Sequence, residues 1–166
     1  MSAETGMSAE RGTAAQEAEA ASVPLSKRRL KTWIRILGVT RMAEAHLREF
    51  LRVEHHTTLP RFDVMAALYR RRVPLSMSEL SRLLLVSNGN ATTVVDRLEK
   101  DGLVRRVPFE ADRRTVHVSL TDEGLAQFEK LAADHEREVD QLFARLTDAD
   151  LDALKDILKK LGKDAQ

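Results

Sequence analysis

The feature that most constrains this chain is the segment 75–124, where two helix-start signals precede a pair of strand-like runs. Ser76 can act as the N-cap of a short helix, and Glu79, three residues later, completes a capping box. Ser87 offers a second N-cap, and Gly102 suits the left-handed position that ends a helix. The segment therefore predicts two short helices separated by a tight turn.

A β-hairpin is predicted directly after the second helix. Residues 103–107 and 115–120 alternate in polarity or are β-branched, as strands require, and the polar loop 108–114 lies between them. Two helices followed by such a hairpin form a winged helix-turn-helix, in which the hairpin is the wing. The predicted fold class is mainly α with a small β-hairpin wing (α+β).

The second helix of the pair is predicted to be a DNA recognition helix, because its outer face begins with small hydrogen-bonding side chains. Asparagine can pair with adenine, threonine can meet a phosphate or a thymine methyl group, and free N–H groups of a first helical turn can bind phosphate. At the wing tip, two adjacent arginines favour an anionic partner, and Asp112 can hold its neighbour by an ion pair. An ordinary solvated helix face is the alternative interpretation. The predicted DNA-binding residues are Ser87, Asn88, Asn90, Thr92, Thr93, Arg97, Asp112, Arg113 and Arg114.

Charge is unevenly distributed along the 166 residues, although the formal net charge is only +1. Basic residues outnumber acidic ones in 27–60, eight against three, and in 61–120, eleven against seven. Acidic residues predominate in 1–26, four against one, and in 121–166, twelve against seven. A basic centre between acidic ends fits one surface that binds phosphate, and solvated helix faces would give a similar pattern.

Composition and motifs disfavour several other classes of protein. The chain has no cysteine, which excludes disulfides, thiolate zinc sites and thiol redox switches. Its five histidines include no pair four residues apart on one predicted helix, so a zinc sensor is not expected. No phosphate loop, serine elbow or Cys-His arrangement is present, and so neither an enzyme nor a cofactor is expected. Without a secretory signal or a run of about 18 apolar residues, a cytoplasmic location with no membrane partner is expected.

Four segments are predicted along the chain. Residues 1–25 are poor in large apolar side chains and are expected to be a disordered tail. Apolar residues at helical spacing predict an N-terminal helix over 26–56, with Gly38 as a position where it can kink. The winged helix-turn-helix DNA-binding domain covers 57–120, and C-terminal dimerisation helices cover 121–163.

The region 59–161 resembles the MarR family of bacterial transcriptional regulators. The resemblance rests on Ser76–Leu80, Val86-Ser87, Asp96–Glu99, Gly102–Val104, Asp112–Arg114, and Val118–Thr121 before Gly124. Leu85 departs from the pattern, because many members have glycine between the two helices of the helix-turn-helix. A leucine forced to positive φ would be strained, so a differently built turn is expected within the same fold.

The resemblance implies an intertwined homodimer, triangular in outline, in which two winged lobes straddle a pseudo-palindromic operator. The sequence independently allows this, because the predicted C-terminal helices carry apolar stripes that a lone monomer can hardly cover. Closure of these stripes onto the chain's own core is the alternative. The stripes comprise Leu125, Phe128, Leu131, Val139, Leu142 and Phe143, then Leu151, Leu154, Ile157, Leu158 and Leu161, with Leu30, Trp33, Ile34 and Leu37 of the first helix.

Family members usually lose DNA affinity when a small anionic, often aromatic, ligand binds between the dimer helices and the DNA-binding lobe. Residues 55–63 and 84–90 look like a subgroup associated with the breakdown of aromatic acids, where the effector can be a coenzyme A thioester. The alternative is that the aromatic residues concerned belong to the core and the others are solvated. The ligand-binding residues expected from the resemblance are Phe50, His55, His56, Arg61 and Phe62, with Arg70–Arg72 available for phosphates.

Two functions of different classes follow from these observations. The first is a ligand-responsive transcriptional regulator, expected to be a repressor, that binds operator DNA as a homodimer and is released by an aromatic acid or its coenzyme A thioester. The second is a winged-helix protein–protein interaction module without DNA binding. The wing distinguishes them, because a protein-binding surface would favour exposed aromatic or aliphatic anchors over Asp112-Arg113-Arg114.

Overall fold

Six helices and a small sheet make up the part of the chain that the structure describes. This computed structural model describes residues 23–109 and 112–162, with the backbone alone at 109 and 112–115. The winged helix-turn-helix and the mainly helical fold class predicted from the sequence are confirmed. The helices are α1 (Leu25–His55), α2 (Leu59–Arg71), α3 (Met77–Leu83), α4 (Asn88–Lys100), α5 (Asp122–Phe143) and α6 (Asp148–Gly162), and the strands are β1 (Leu75–Ser76), β2 (Val104–Phe109) and β3 (Asp112–Leu120).

The chain divides into two units, residues 1–44 and 45–166. Residues 1–22, which make up most of the predicted tail, lie outside the described residues. Helix α1 begins at Leu25 and continues through Gly38 without interruption. Among the described residues, none of the helices has the length and apolarity needed to span a membrane.

The sheet has three antiparallel strands in the order β1-β3-β2. Strands β2 and β3 form the predicted hairpin, in which Val104 pairs with Leu120. Both strands extend further into the loop than predicted, since Pro108 pairs with Val116 before the register shifts. Sequence analysis misses β1, because two residues are too few to show the alternation that marks a strand.

The hydrophobic core of the second unit packs α2, α3 and α4 against the sheet and the first half of α5. Leu80, Leu98 and Val118 are fully buried at its centre. Leu83, the last residue of α3, is 41% exposed although it lies one helical turn from the buried Leu80. The buried core residues are Leu51, Phe62, Val64, Met65, Leu68, Leu75, Leu80, Val95, Leu98, Leu103, Val104, Val118, Phe128 and Leu131.

The helix starts follow the predicted caps. The Oγ of Ser76 accepts a hydrogen bond from the backbone N–H of Glu79 at 3.3 Å, and Glu79 Oε2 accepts one from the Ser76 backbone at 2.9 Å. Hydrogen bonds from the Ser76 hydroxyl and backbone lower the pKa of Glu79. Thr121 Oγ1 likewise accepts from the backbone N–H of Gly124 at 2.9 Å. The capping box and the start of α5 are therefore confirmed.

The turn between α3 and α4 contains a leucine with positive φ, a conformation that was not expected from the sequence. Leu85 has a φ of 55°, in the left-handed region that glycine usually occupies. The backbone N–H of Val86 closes the turn by donating to the carbonyl of Ser81 at 3.0 Å. The expectation that the leucine would avoid positive φ is wrong, and its side chain lies 91% exposed.

Candidate nucleic-acid interface

Helix α4 presents the polar face of its first turns to solvent. The Oγ of Ser87 accepts a hydrogen bond from the backbone N–H of Asn90 at 3.3 Å, so the predicted N-cap is confirmed. Ala91, Val95 and Leu98 are buried and hold the opposite face of the helix on the core. Of the predicted DNA-binding residues on this helix, Asn88, Asn90, Thr93 and Arg97 are exposed and Thr92 is half-buried.

Several predicted contact groups already have partners within the protein. Thr92 Oγ1 donates to the carbonyl of Asn88 at 2.8 Å, and Thr93 Oγ1 donates to the carbonyl of Gly89 at 3.0 Å. The Ser81 hydroxyl donates to Asn88 Oδ1, which connects α4 to α3. While these bonds persist, the two threonines can offer a methyl group and oxygen lone pairs but no proton. This favours contact with a thymine methyl group over donation to a phosphate.

Three charged side chains connect the wing to the recognition helix. The Arg106 guanidinium donates to Asp96 Oδ1 at 2.5 Å and also to Glu99 Oε2, while Glu99 Oε1 accepts the Arg106 backbone N–H at 3.2 Å. These interactions, the hydrogen bond to Asp96 above all, raise the pKa of Arg106. Arg106 is therefore held by two carboxylates of α4 and is only partly exposed to solvent. The sequence signal for this contact was the pair Asp96 and Glu99, which are three residues apart and so lie one helical turn from each other on α4.

The C-terminal end of α4 is fixed as well. Gly102 has a φ of 74°, as predicted for the residue after the helix, and its N–H donates to the Glu99 carbonyl at 3.0 Å. Arg61 of α2 forms an ion pair with Asp101 at 2.6 Å. The recognition helix is therefore held at its start by Ser81, along its length by the wing, and at its end by α2.

The wing-tip residues Asp112, Arg113 and Arg114 begin β3, directly after the hairpin turn. The backbone of Asp112 pairs with that of Phe109. The side chains of the three predicted residues lie outside the described part of the structure, so their DNA contacts stay predictions.

Three of the five residues expected to bind an effector meet at one cavity. His55, His56 and Arg61 line a space of about 290 Å³ together with Lys130. His55 Nε2 lies 3.3 Å from Asp134 Oδ2 at the same helix interface. Glu54 also lines the cavity, and Arg61 already pairs with Asp101, so an anion bound here would compete with carboxylates for the basic groups. No group of three or more potential metal ligands occurs among the residues that the structure describes.

The other two expected residues do not line this cavity, although the ring of Phe50 meets that of His55 edge-on with centroids 5.2 Å apart. Phe62 is 8% exposed and its ring stacks on His135 with centroids 4.1 Å apart. Phe50 packs on the core. Phe62 also borders a second cavity of about 530 Å³, whose lining includes Arg70 and Arg71. The five residues therefore do not line a single pocket in this chain.

Comparison with known proteins gives this arrangement a family. A sequence model described as MarR family matches residues 57–116. The HTH-type transcriptional regulator PecS of Dickeya dadantii (strain 3937) is 34% identical over 104 residues, which cover 61% of this chain and 63% of PecS. The uncharacterized HTH-type transcriptional regulator YkoM of Bacillus subtilis (strain 168) is 37% identical over 68% of this chain and 73% of YkoM. The match to PecS thus spans slightly less than two thirds of that relative.

Solved structures agree with the sequence relatives. A MarR family transcriptional regulator from Silicibacter pomeroyi matches with a TM-score of 0.73 at 30% identity, over 87% of this chain and 100% of that chain. This chain belongs to the MarR family. A mutant of MarR from E. coli complexed with operator DNA matches with a TM-score of 0.71 at 28% identity, over 84% of this chain and 99% of that one. MarR-family proteins are transcriptional regulators and not enzymes.

Proposed function

We propose that this MarR-family protein is a ligand-responsive transcriptional repressor that binds a pseudo-palindromic DNA operator as a homodimer. The observation that carries the proposal is helix α4, which is anchored at both ends and exposes a slender polar face. A major groove admits one such helix when its leading side chains are small. The structure of E. coli MarR with operator DNA supports the same use of the element here.

The first turns of α4 are proposed to enter the major groove. Asn90 is exposed, and its side-chain amide has no hydrogen-bond partner among the described residues, so it is available to pair with adenine. Ser87 and Asn88 lie where the first backbone N–H groups can meet a phosphate. Arg97, exposed two turns later, is placed to contact the DNA backbone. Arg113 and Arg114 would contact the flanking minor groove, with Asp112 orienting its neighbour.

A homodimer is proposed because the last helix has no buried residue in the single chain. Ile157 is 54% exposed and Leu161 63%. In the first unit, Trp33 and Ile34 are exposed to 55% and 58%. Contiguous apolar stripes of this kind mark an interface, and a two-fold contact with a second copy would cover them. Among the described residues, no part of α6 is buried in the chain's own core. The alternative, in which this stripe closes onto that core, therefore has no support.

We propose a small aromatic acid as the effector, bound in the cavity lined by His55, His56 and Arg61. A space of about 290 Å³ holds a single-ring acid, whereas the nucleotide part of a coenzyme A thioester would have to lie outside it. Arg61 borders the cavity and also pairs with Asp101 at the end of α4. An anion in the cavity would compete with Asp101 for Arg61 and so release one anchor of the recognition helix.

The DNA part of the proposal is tested with duplexes selected by the wild-type protein from a randomised library. In gel shifts, Arg114→Ala should weaken binding to the selected operator. Asn90→Ala should relax base preference by about 1 to 3 kcal/mol at one position per half-site. Arg137→Ala removes an exposed arginine of α5 and is the control that should bind as the wild type does. Wild-type affinity and preference in both variants would refute these contacts, and binding of no duplex at low salt would favour the protein-interaction module.

The effector part is tested by titrating the operator complex with free aromatic acids and with their coenzyme A thioesters. Arg61→Gln lacks both the anchor to Asp101 and the proposed anion contact, so it should bind the operator more weakly than the wild type without an effector, and the acid should not weaken its binding further. Asp101→Asn should bind the operator more weakly than the wild type even without an effector, because it lacks the same anchor. A normal response of Arg61→Gln would contradict the assigned cavity.

A further inference from the structure

Leu85 has two properties that do not stabilise the folded chain. Its φ of 55° places a branched side chain in the left-handed region, which is unfavourable for residues other than glycine. Its side chain is 91% exposed, the largest exposed fraction among the large apolar residues of the described chain. Glycine would relieve the backbone strain at this position and would remove no core contact.

The other non-glycine residues with positive φ have contacts that explain their side chains. The guanidinium of Arg72 lies 5.8 Å from the centre of the Tyr69 ring. His56 lines the cavity that also contains Arg61. Leu85 is connected to its surroundings through its backbone, whose N–H donates to the carbonyl of Arg82 at 3.3 Å. The leucine side chain therefore has the conformation and exposure of a group that contacts another molecule.

The position of Leu85 indicates which molecule this is. It lies two residues before the N-cap Ser87, within about 11 Å of the first turn of α4 by chain length alone. Its neighbours Leu83 and Val86 are also partly exposed, at 41% and 42%. Three exposed apolar side chains, Leu83, Leu85 and Val86, therefore lie within a few residues of Asn88 and Asn90 along the chain.

We propose that Leu85 makes an apolar contact with operator DNA, to a thymine methyl group or a deoxyribose at the edge of the major groove, and thereby contributes to affinity and base preference. The inference rests on the proposed operator binding of α4. Both DNA groups are apolar and lie beside the entry of a recognition helix, and burial of a leucine against either removes its surface from water.

Three substitutions distinguish the effect of the Leu85 side chain from the effect of its positive φ. Leu85→Gly and Leu85→Asn accept positive φ and remove the apolar group, so both should unfold at or above the wild-type midpoint. Leu85→Met keeps the strained backbone and restores an apolar side chain. We expect about a tenfold loss of operator affinity in the glycine and asparagine variants and near wild-type affinity in the methionine variant. Val73→Ala, which shortens another exposed apolar side chain of the same lobe, is the control and should bind normally.

The two possible DNA groups are distinguished by replacing single thymines of the selected operator with deoxyuridine. Contact with one methyl group predicts about a fourfold weakening at that position for the wild type and none for Leu85→Gly. Contact with a deoxyribose predicts that Leu85→Gly loses affinity equally on every probe. Wild-type affinity of the glycine and asparagine variants, or a loss of dimerisation in place of DNA binding, would overturn the inference. A wild-type protein that binds no duplex would instead refute the proposed function itself.

Discussion

The packing of α5 against the start of the wing depends on one glycine. A Cβ at Gly124 would lie 1.9 Å from the carbonyl oxygen of Leu103, so α5 can pack against the start of the wing only without a side chain here. The same position is fixed by the Thr121 cap, whose Oγ1 accepts the Gly124 N–H and donates to the Gly102 carbonyl at 2.7 Å. Gly124 thus sets the distance between the DNA-binding lobe and the helix that leads to the proposed dimer contact.

Gly124→Ala should therefore destabilise the protein by about 1 to 3 kcal/mol or more, because backbone atoms must move to admit the methyl group. Gly89→Ala is the matched control, since no atom lies within 4 Å of its built Cβ. Alanine in this helical position should stabilise the fold by up to about 1 kcal/mol. Urea unfolding of both variants measures the difference, and equal midpoints would show that α5 does not need this close approach.

His135 gives the fold a dependence on pH. Burial lowers the pKa of His135, which stacks on Phe62, while the unfolded chain titrates near the ordinary value of about 6.5. Below that pH the unfolded state binds the proton more readily than the folded state, so the free energy of unfolding falls as the pH decreases. Above that range the residue is neutral in both states and contributes no pH dependence.

His135→Phe should reduce the loss of stability on acidification, because phenylalanine keeps the stack on Phe62 and cannot be protonated. Urea unfolding of wild type and variant at about pH 7.5 and about pH 5.5 measures this loss. The two proteins should differ most at the lower pH. Identical losses in both would mean that other groups cause the acid sensitivity.

At the scale of elements, the wing and the recognition helix behave as one piece. Arg106 on β2 contacts Asp96 and Glu99 on α4, and all three side chains are at least partly exposed. The single positive charge of Arg106 offsets part of the negative charge of the two carboxylates, which would otherwise repel the phosphates of the proposed operator. Sequence analysis predicts both elements but not this connection, because which face of β2 meets α4 depends on the hairpin's orientation in the folded lobe.

Arg106→Met should weaken operator binding by roughly 1 to 2 kcal/mol, because Asp96 and Glu99 lose their cation and the wing loses its attachment. Arg105→Met on the same strand is the control, since Arg105 contacts only the hydroxyl of Ser119, at 3.4 Å, among the described residues. Gel shifts at several salt concentrations measure both. An equal loss in the two variants would assign the effect to general positive charge.

At the scale of the whole molecule, a single chain leaves many large apolar side chains exposed to water. Helix α6 exposes Leu151, Leu154 and Ile157 along one stripe. Its start is nonetheless well formed, since Thr147 and Asp150 form a capping box with bonds of 3.0 and 3.3 Å. A well-formed helix with an uncovered apolar stripe supports the proposed homodimer, in which a second copy would cover the stripe.

Ile157→Asp should weaken the free energy of dimerisation by roughly 3 kcal/mol, because a charge would be buried in the apolar contact. The variant should therefore be monomeric and should not bind the operator at nanomolar concentration. Lys159→Asp places the same side chain on the polar face of α6 and should leave the dimer intact. Sedimentation velocity measures both. A dimeric Ile157→Asp protein, or a monomeric wild type that binds the operator fully, would contradict the two-fold arrangement.

The sequence by itself determined the order of the helices and of the hairpin strands, the capped helix starts and the polar face of α4, but not strand β1. These follow from local chemistry, because a cap such as Ser76 or Ser87 and the period of apolar residues act within a few positions of the chain. It could not determine the ion pairs of Arg61 and Arg106, nor the separation of Phe62 from the cavity at His55. Those features join residues distant in sequence, and only the packing of α2, α4 and the wing against one core brings them together or keeps them apart. The turn at Leu85 depended on both levels: local preference argued against positive φ, and the tertiary positions of α3 and α4 imposed it.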